Sequence, residues 1–211
     1  MFINVTIPFF LSLVKFEIKM KKSVFLLSII PLLFLFSCKK ENPKVEIMTT
    51  KGLIIVELDI QNAPITAGHF LKLVEKGVYD GGSFYRSVRG GTDENNPVPI
   101  RVVQGGAARK KGGEKIETIP HETTQDTGLK HLNMTVSMAR GEPGTASTEF
   151  FICMHDEPEL DFGGRRNPDG QGFAAFGRVI VGEDIVHKVW GSPAMGEQID
   201  PVVPIHKIKV K

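Results

Sequence analysis

A cysteine and a histidine two residues apart are the first side chains in this sequence whose types suggest catalysis. Cys153 belongs to the apolar run 150–154, and His155 follows that run. Such a pair could form a thiol nucleophile with its base, but two neighbours on one strand still need a third group to orient the histidine. Apolar surroundings also disfavour the thiolate. We therefore predict that Cys153 is a small buried hydrophobic residue.

Signatures of nucleotide and metal chemistry are missing from the sequence. It contains no G-x-x-x-x-G-K-[ST] loop, no H-E-x-x-H and no G-x-S-x-G. No two of the six histidines are four residues apart, and two cysteines cannot form a four-cysteine zinc site. We predict that the protein binds no metal.

Charge and composition are those of an ordinary globular chain. The 211 residues are 41% hydrophobic and 24% charged, with a net charge of +2. Residues 38–211 carry 22 basic and 23 acidic side chains. This near-neutral balance, with no basic cluster, argues against nucleic acid as a partner. The 22 glycines and 13 prolines indicate many turns and hence a β-rich fold.

The first 37 residues have the pattern of an export signal. Met20, Lys21 and Lys22 precede the apolar run 24–36, which fits a secretory signal peptide. The run is short for a membrane-spanning helix, which needs about 20 residues. The following Leu35-Phe36-Ser37-Cys38 resembles a bacterial lipoprotein box, in which cleavage leaves the cysteine as a lipidated N-terminus.

This N-terminal pattern predicts a lipid-anchored protein of the bacterial cell envelope, with its domain outside the cytoplasm. We predict that residues 1–19 reflect a start assigned too early and that the signal ends at residue 37. Cys38 then carries the lipid, and residues 38–44 form a tether. The lipid is the only membrane attachment that we predict. An uncleaved membrane anchor is the alternative.

Hydrophobic periodicity and turn residues predict about eight strands and two helices in the remaining chain. The strands are 45–50, 53–60, 83–88, 100–103, 135–139, 150–154, 173–181 and 205–210. The helices begin at Pro64 and Glu183 and end before Gly77 and at Trp190. Long alternating βαβ units are missing, so a closed antiparallel barrel with helices over its ends fits better than a doubly wound sheet.

Several segments, taken together and in order, resemble the cyclophilin family of peptidyl-prolyl cis–trans isomerases. They are 63–70 (APITAGHF), 84–88 (FYRSV), 103–106 (VQGG), 137–139 (SMA), 148–152 (TEFFI) and 159–161 (ELD) with 173–179 (FAAFGRV). Each motif alone is weak evidence, but the ordered set is specific.

The resemblance implies that residues 45–211 form a mainly β domain, a closed eight-stranded antiparallel barrel capped by two helices. It also implies catalysed rotation about the peptide bond before proline, without a cofactor. The partners it implies are proline-containing peptides or unfolded proteins, and we expect a monomer.

The same resemblance implies the site residues. Arg86 would donate a hydrogen bond to the prolyl nitrogen of the twisted amide, and Gln104 would bind the substrate backbone. The residues that would line or flank the proline pocket are Phe151, Phe173, Leu160, Ala139 and Val102. The alternative is that Arg86 is a surface arginine, Gln104 a turn residue and the two phenylalanines part of the barrel core.

The sequence departs from the family pattern at His69, where asparagine is usual, and at four further positions. Arg101 replaces a phenylalanine that usually forms one pocket wall, and Glu159 replaces a tryptophan. Phe173 replaces a histidine, and Glu149 replaces a glutamine. The polar loop Arg89–Pro99 also lengthens the link between two motifs. We expect one pocket wall to be open, or rebuilt by Phe173 or by this loop.

Three functions remain open from the sequence. The first is an isomerase that assists the folding of exported proteins at the envelope. The second is a non-catalytic module on the same barrel, which would bind proline peptides or act as a chaperone. The third is anion binding by the Gly-rich loop 161–172 with Arg165 and Arg166, through backbone N–H groups.

Overall fold

The structure is a computed structural model that describes residues 41–91, 96–107 and 116–211. The predicted signal peptide, Cys38 and residues 92–95 of the loop Arg89–Pro99 lie outside these residues. The strands are β1 Lys44–Thr49, β2 Gly52–Leu58, β3 Ser83–Arg89, β4 Arg101–Gly106, β5 Thr135–Met138, β6 Phe150–Cys153, β7 Ala174–Val181, β8 Ala194–Met195 and β9 Gln198–Val210. The helices are α1 Pro64–Glu75, α2 Thr124–Thr127 and α3 Glu183–Trp190, and a 3₁₀ turn spans Pro158–Leu160.

Eight of these strands close into a barrel. They follow one another in the order β1, β2, β7, β5, β6, β4, β3 and β9, and β9 pairs back onto β1. The pairings are antiparallel throughout, and the two-residue strand β8 extends the sheet as a hairpin with β9. The predicted closed eight-stranded antiparallel barrel is therefore confirmed.

Aromatic rings and apolar side chains of the two longer helices fill the barrel core. Phe70 of α1 lies 4.9 Å from Phe176 of β7 and 5.5 Å from Phe150 of β6, measured between ring centroids. Val186 and Val189 of α3 are fully buried in the same cluster. Each helix thus presents one apolar face to the barrel, which explains why short amphipathic segments are stable helices here.

Helix α1 begins without a side-chain cap of its own. Ala63 stands at the N-cap and has no side-chain acceptor. Instead, the buried carboxylate of Glu122 accepts hydrogen bonds from the backbone N–H groups of Ile65 and Thr66, at 3.2 and 2.9 Å. A carboxylate at this end satisfies two unpaired donors and matches the helix dipole.

The structure adds the unpredicted strand β8 and differs from the predicted elements most clearly at three further places. Strand β9 begins at Gln198, seven residues before the predicted start, because Pro201 and Pro204 interrupt the sequence pattern although the backbone stays extended. The short helix α2 forms inside a segment predicted to be irregular, where Thr123 and Asp126 make a capping box. Strand β1 begins at Lys44, the last residue of the predicted tether.

A second apolar cluster lies on the outside of the barrel, against β3, β4 and β6. Side chains alternate along a strand, so Phe150 and Ile152 belong to the interior cluster while Phe151 and Cys153 belong to the outer one. The outer cluster consists of Val88, Ile100, Val102, Phe151, Cys153 and Leu160, with Ala139 and Phe173 packed against it. Cys153 has no exposed surface, and burial raises the pKa of its thiol well above 9.0. The prediction of a buried hydrophobic cysteine is confirmed.

A β-bulge at Tyr85 changes the phase of β3. Phe84 pairs with Gly105, but Arg86 pairs with Gln104, so Tyr85 is an extra residue opposite this step. Phe84 is in the interior cluster and Val88 in the outer one. Without the bulge, Phe84, Arg86 and Val88 would share one face. The bulge therefore turns Arg86 to the outer face, together with Val88.

A buried histidine ties β5 to the turn that follows β6. Nδ1 of His131 lies 2.8 Å from a carboxylate oxygen of Asp161, and Nε2 lies 3.0 Å from the hydroxyl of Ser137. Because a carboxylate only accepts, Nδ1–H donates to Asp161 and the Ser137 hydroxyl donates to Nε2. Ser137 has no exposed surface, so this arrangement fixes Leu160 and its neighbours rather than presenting a nucleophile.

The ionisation of this pair makes folding sensitive to acid. Burial lowers the pKa of His131 below 6.5, although the contact with Asp161 opposes that shift. Burial raises the pKa of Asp161, but hydrogen bonds and charge from His131 outweigh it, so the pKa of Asp161 lies below 3.8. Both groups thus bind protons more readily in the unfolded chain than in the folded one.

We expect the free energy of unfolding to fall as the pH is lowered below about 6.5, by at most ~1.4 kcal/mol per pH unit for one proton. The His131 contribution is complete above pH 6.5, because the unfolded histidine is protonated below that value while the folded one resists protonation. Urea unfolding between pH 8 and pH 5 measures the slope. His131→Asn should reduce it, whereas His155→Gln, at an exposed position, should not.

The wild-type protein offers a direct check that does not depend on the stability of a variant. In an NMR titration the His131 ring should be less than half protonated at pH 6.5. A ring that is mostly protonated at this pH would contradict the assignment.

Candidate functional site

A pocket opens on the outer apolar cluster and contains every site residue predicted within the barrel. Its volume is about 140 Å³. It is lined by Arg86, Ile100, Val102, Gln104, Ala139, Arg140, Phe151, Leu160, Arg166 and Phe173. The predicted catalytic residues and the predicted proline-binding residues thus share one cavity.

Strand register brings the polar and apolar parts of this pocket together. Arg86 of β3 pairs with Gln104 of β4, and Gln104 pairs with Phe151 of β6. The three residues form one cross-strand row on the outer face of the barrel, since their strands are adjacent and in phase. A guanidinium, an amide and an aromatic ring therefore stand side by side.

Glu197 and Gln104 both hold the guanidinium of Arg86. Nε and Nη2 each lie 2.7 Å from Oε2 of Glu197, and Nη1 donates to Oε1 of Gln104 at 3.0 Å. The Arg86 side chain is 28% exposed and the Glu197 side chain 15% exposed. Arginine keeps its charge at any physiological pH and its planar fork is rigid, so contacts on both edges fix the plane of the group.

Gln104 is oriented by a chain of hydrogen bonds that ends at Glu149. Its Nε2 donates to the Tyr85 hydroxyl at 2.9 Å, and that hydroxyl donates to Oε2 of Glu149 at 2.5 Å. Because an ionised carboxylate only accepts, the Tyr85 proton points at Glu149 and its oxygen accepts from Gln104. The amide oxygen of Gln104 is then left to face Arg86. The replacement of the family's glutamine by Glu149 thus sets the direction of every donor in the chain.

The apolar side of the pocket is formed by Phe151 of β6 and by two chain segments that pack over it, which contribute Leu160 and Phe173. The rings of Phe151 and Phe173 meet edge to face, with centroids 5.3 Å apart. The backbone N–H of Phe173 donates to the carbonyl of Leu160 at 2.9 Å, which joins two chain segments that contribute to the wall. An aromatic pair of this geometry contributes about 0.5–1.5 kcal/mol beyond its buried area.

The guanidinium of Arg140 packs against the ring of Phe173. Its guanidinium carbon lies 5.4 Å from the centre of the Phe173 ring. Nη1 and Nη2 donate to the two carboxylate oxygens of Asp169 at 2.8 and 2.9 Å, and Nε donates to the carbonyl of Gly172 at 2.9 Å. Hydrogen bonds from Arg140 lower the pKa of Asp169 from 3.8 to about 2. The side chain of Arg140 is 1% exposed, and the carboxylate of Asp169 neutralises its charge.

The pocket wall that Arg101 leaves open is rebuilt by other residues. Ile100 lines the pocket together with Val102 and Gln104, two and four residues further on. Arg101 is not among the lining residues, and its Nε donates to Glu157 at 2.9 Å. Arg101 stands at the start of β4, where its side chain is 43% exposed and turned to Glu157. Phe173 lines the pocket as expected, and Ile100 is a further wall residue that the sequence analysis did not name.

The loop Arg89–Pro99 contacts the Gly-rich loop 161–172 beside the pocket. Nη1 of Arg166 donates to the carbonyl of Val98 at 2.7 Å, and the Asn96 side chain donates to the carbonyl of Arg166 at 2.9 Å. Arg165 forms a fork with Glu159 and holds the pKa of that carboxyl at about 2. The two arginines that suggested anion binding are thus engaged within the protein.

The sequence motifs did not predict four residues of this site: Ile100, Arg140, Arg166 and Glu197. Strand alternation from Val102 and Gln104 could have found Ile100, and Arg140 directly follows the S-M-A motif. The sequence points to Arg166 only as part of an anion-binding loop, and no local signal points to Glu197, because each reaches the site from a distant segment. Among the described residues, no group of three or more His, Cys, Asp or Glu is suited to hold a metal ion. Within residues 41–91, 96–107 and 116–211, the helices are too short or too polar to cross a membrane.

Comparisons with known proteins agree with this fold. A family model described as "Cyclophilin type peptidyl-prolyl cis-trans isomerase/CLD" matches residues 44–210. The chain is 34% identical over 165 residues to the peptidyl-prolyl cis-trans isomerase cyp18 of Streptomyces antibioticus, covering 76% of this chain and 93% of that protein. It is 33% identical over 154 residues to peptidyl-prolyl cis-trans isomerase A of Dickeya dadantii, covering 72% and 73%.

Solved structures show the same fold. A cyclophilin type peptidyl-prolyl cis-trans isomerase of Cryptosporidium parvum matches with a TM-score of 0.64 and 22% identity, over 81% of this chain and 98% of that one. The same protein in the presence of the dipeptide Ala-Pro matches with a TM-score of 0.63 and 24% identity, over 80% and 98%. The chain therefore belongs to the family of cyclophilin-type peptidyl-prolyl cis–trans isomerases, and it is an enzyme of that class.

Gly172 is a backbone position on which the pocket wall depends. Its φ is +63°, and a Cβ there would lie 2.5 Å from backbone atoms of Asp161 and Leu160. We expect Gly172→Ala to lower the free energy of unfolding by the cost of left-handed backbone, roughly 1–2 kcal/mol, plus about 1–3 kcal/mol for the overlap. Urea unfolding measures the total, and aromatic NMR shifts of Phe173 report the displaced wall.

Gly170 is the matched control in the same loop. Its φ is +67°, and nothing lies within 4 Å of a Cβ built there. Gly170→Ala should therefore show only the backbone cost and leave the Phe173 shifts in place. Equal losses in the two variants would contradict the close approach at Gly172.

Proposed function

We propose that this protein accelerates rotation about X-Pro peptide bonds at the outer pocket and that it assists the folding of exported proteins at the bacterial envelope. One observation carries the catalytic part of the proposal. Arg86 and Gln104 stand beside the apolar pocket lined by Phe151 and Phe173. A proline side chain needs the apolar pocket, and the bond that rotates needs the polar groups next to it.

Rotation about an X-Pro peptide bond requires no covalent catalysis. The barrier to rotation is about 18–20 kcal/mol because resonance keeps the amide planar. At X-Pro bonds both isomers are populated, and they exchange over tens of seconds or longer. No bond breaks, so the catalyst needs neither a nucleophile nor a general base. It has to bind the twisted amide more tightly than the planar one.

Arg86 is the residue suited to that task. As the amide twists, the prolyl nitrogen regains its lone pair and becomes a better hydrogen-bond acceptor. A guanidinium that already points at this position can donate to it without a reorganisation cost. The chain of hydrogen bonds from Glu149 through Tyr85 to Gln104 supports this role. It keeps the amide oxygen of Gln104 on Nη1 of Arg86 and its amide nitrogen on the Tyr85 hydroxyl.

The apolar residues have a separate role. Phe151, Leu160 and Val102 are at most 4% exposed, and they line the cavity together with Phe173. Their surfaces would bind the proline ring and exclude water, which strengthens the hydrogen bond from Arg86. Ala139 is small and leaves room for the rest of the peptide in the groove. The partners proposed are therefore proline-containing peptides and unfolded proteins.

We expect Arg86→Ala to reduce kcat/KM for a short X-Pro peptide at least tenfold, about 1.4 kcal/mol of transition-state stabilisation. The full-length protein purified in detergent serves for the assay. KM should change little, because the hydrogen bond strengthens only in the twisted state. The measurement is the rate of catalysed cis–trans exchange.

Arg178→Ala is the control for this variant, since Arg178 is an exposed arginine on β7 outside the pocket. It should keep the wild-type rate. Folded wild-type protein that binds an X-Pro peptide without accelerating its exchange would instead favour the non-catalytic binding module.

The proposed location depends on the N-terminal sequence. The apolar run 24–36 followed by Cys38 supports export and lipid attachment, which would hold the barrel at a membrane of the cell envelope. Isomerisation there would act on chains that arrive unfolded after export.

The two cysteines allow a matched test of the anchor. When the chain is expressed in bacteria with a labelled fatty acid, the wild type should carry the label and fractionate with membranes. Cys38→Ser should lose both properties, whereas Cys153→Ala should keep them because that thiol is buried. Label on the Cys38→Ser protein, or none on the wild type, would contradict lipidation at Cys38.

A further inference from the structure

We propose that Glu197 is a positioning residue for catalysis, which holds the Arg86 guanidinium in the orientation that donates to the twisted amide. This inference rests on the proposed role of Arg86. Glu197 lies outside the family motifs in the sequence, and it reaches the site from the turn between β8 and β9.

The geometry of the contact restricts rotation of the guanidinium. One carboxylate oxygen of Glu197 accepts from both Nε and Nη2 of Arg86, each at 2.7 Å. Gln104 accepts from Nη1, on the other edge of the same plane, at 3.0 Å. With acceptors on two edges, the group can neither turn about its own axis nor swing away from the pocket without breaking a charge-assisted hydrogen bond.

The carboxylate is itself placed by backbone pairing. The backbone N–H of Ser87 donates to the carbonyl of Glu197 at 2.7 Å, and Arg86 pairs with Gln198 between β3 and β9. The main chain at Glu197 is thus anchored to the strand that carries Arg86. Because this anchor does not use the side chain, substitution of Glu197 can test the carboxylate alone.

Two opposite effects of Glu197 on catalysis have to be weighed. Its negative charge lowers the positive potential of Arg86, which would weaken donation to the prolyl nitrogen. Its hydrogen bonds keep a long, flexible side chain in one orientation before substrate arrives. Hydrogen bonds weaken steeply when the donor angle falls below about 120°, and small misplacements of catalytic groups cost large factors in rate. We therefore infer that positioning outweighs the loss of potential.

The test compares Glu197→Ala, Glu197→Gln and the wild type as full-length proteins in detergent. We expect Glu197→Ala to lower kcat for an X-Pro peptide about tenfold with little change in KM. Glu197→Gln keeps an oxygen that accepts from Arg86 and should stay within about threefold of the wild type. Rescue by the neutral amide would show that orientation, rather than charge, is the contribution of Glu197.

Glu46→Ala is the matched control. Glu46 is also a part-buried glutamate on a strand, with 18% of its side chain exposed, and it pairs with Lys209 at 3.1 Å away from the pocket. Its loss should leave kcat unchanged. A second readout separates positioning from general stability, because Glu197→Ala should have no further effect on kcat in the Arg86→Ala background.

The outcomes distinguish this inference from the proposed function. Wild-type rates in Glu197→Ala, or faster rates in both Glu197 variants, would overturn the positioning role while leaving the isomerase intact. Wild-type protein that accelerates no exchange would refute the proposed function instead. In that case the NMR signal of the Arg86 Nε–H still tests the contact, since it should be sharp in the wild type and broadened in Glu197→Ala.

Discussion

The phase change at Tyr85 is the constraint on which the rest of the site depends. A strand with strict alternation would place Arg86 on the same face as Phe84, which is buried in the barrel. One extra residue moves Arg86 to the outer face, beside Gln104 and above the outer apolar cluster. The same residue supplies the hydroxyl that orients Gln104. A single local irregularity thus both exposes the guanidinium and provides part of its support.

The polar half of the pocket is a row of donors between two carboxylates. Glu149 lies at one end and Glu197 at the other, with Tyr85, Gln104 and Arg86 between them. Because both ends only accept, each proton in the row has one direction, and no amide flip satisfies the row equally well. The apolar half is organised independently by aromatic packing of Phe151 and Phe173. In the proposed function, proline binding and donation to its amide therefore use different sets of contacts.

Much of this arrangement could be predicted from the sequence, since it depends on local patterns. Alternation and turn residues indicate the strands, and the ordered motifs indicate the barrel and the pocket residues such as Phe151 and Leu160. The prediction fails where register over long separations decides. Glu197 meets Arg86 only because β9 pairs with β3, and Ile100 forms part of the pocket wall while Arg101 pairs with Glu157. Prolines within β9 also hide a strand whose backbone is nevertheless extended.

The two apolar clusters lie back to back across one layer of strands, and this has a consequence for how the protein can change over evolutionary time. Neighbouring residues such as Phe150 and Phe151 serve different clusters, so fold and recognition draw on alternate positions of the same strands. Substitutions on the outer positions can accumulate without a cavity forming in the barrel interior. Ile100 lines the pocket from such an outer position. The architecture therefore allows substrate preference to diverge quickly while the scaffold stays the same.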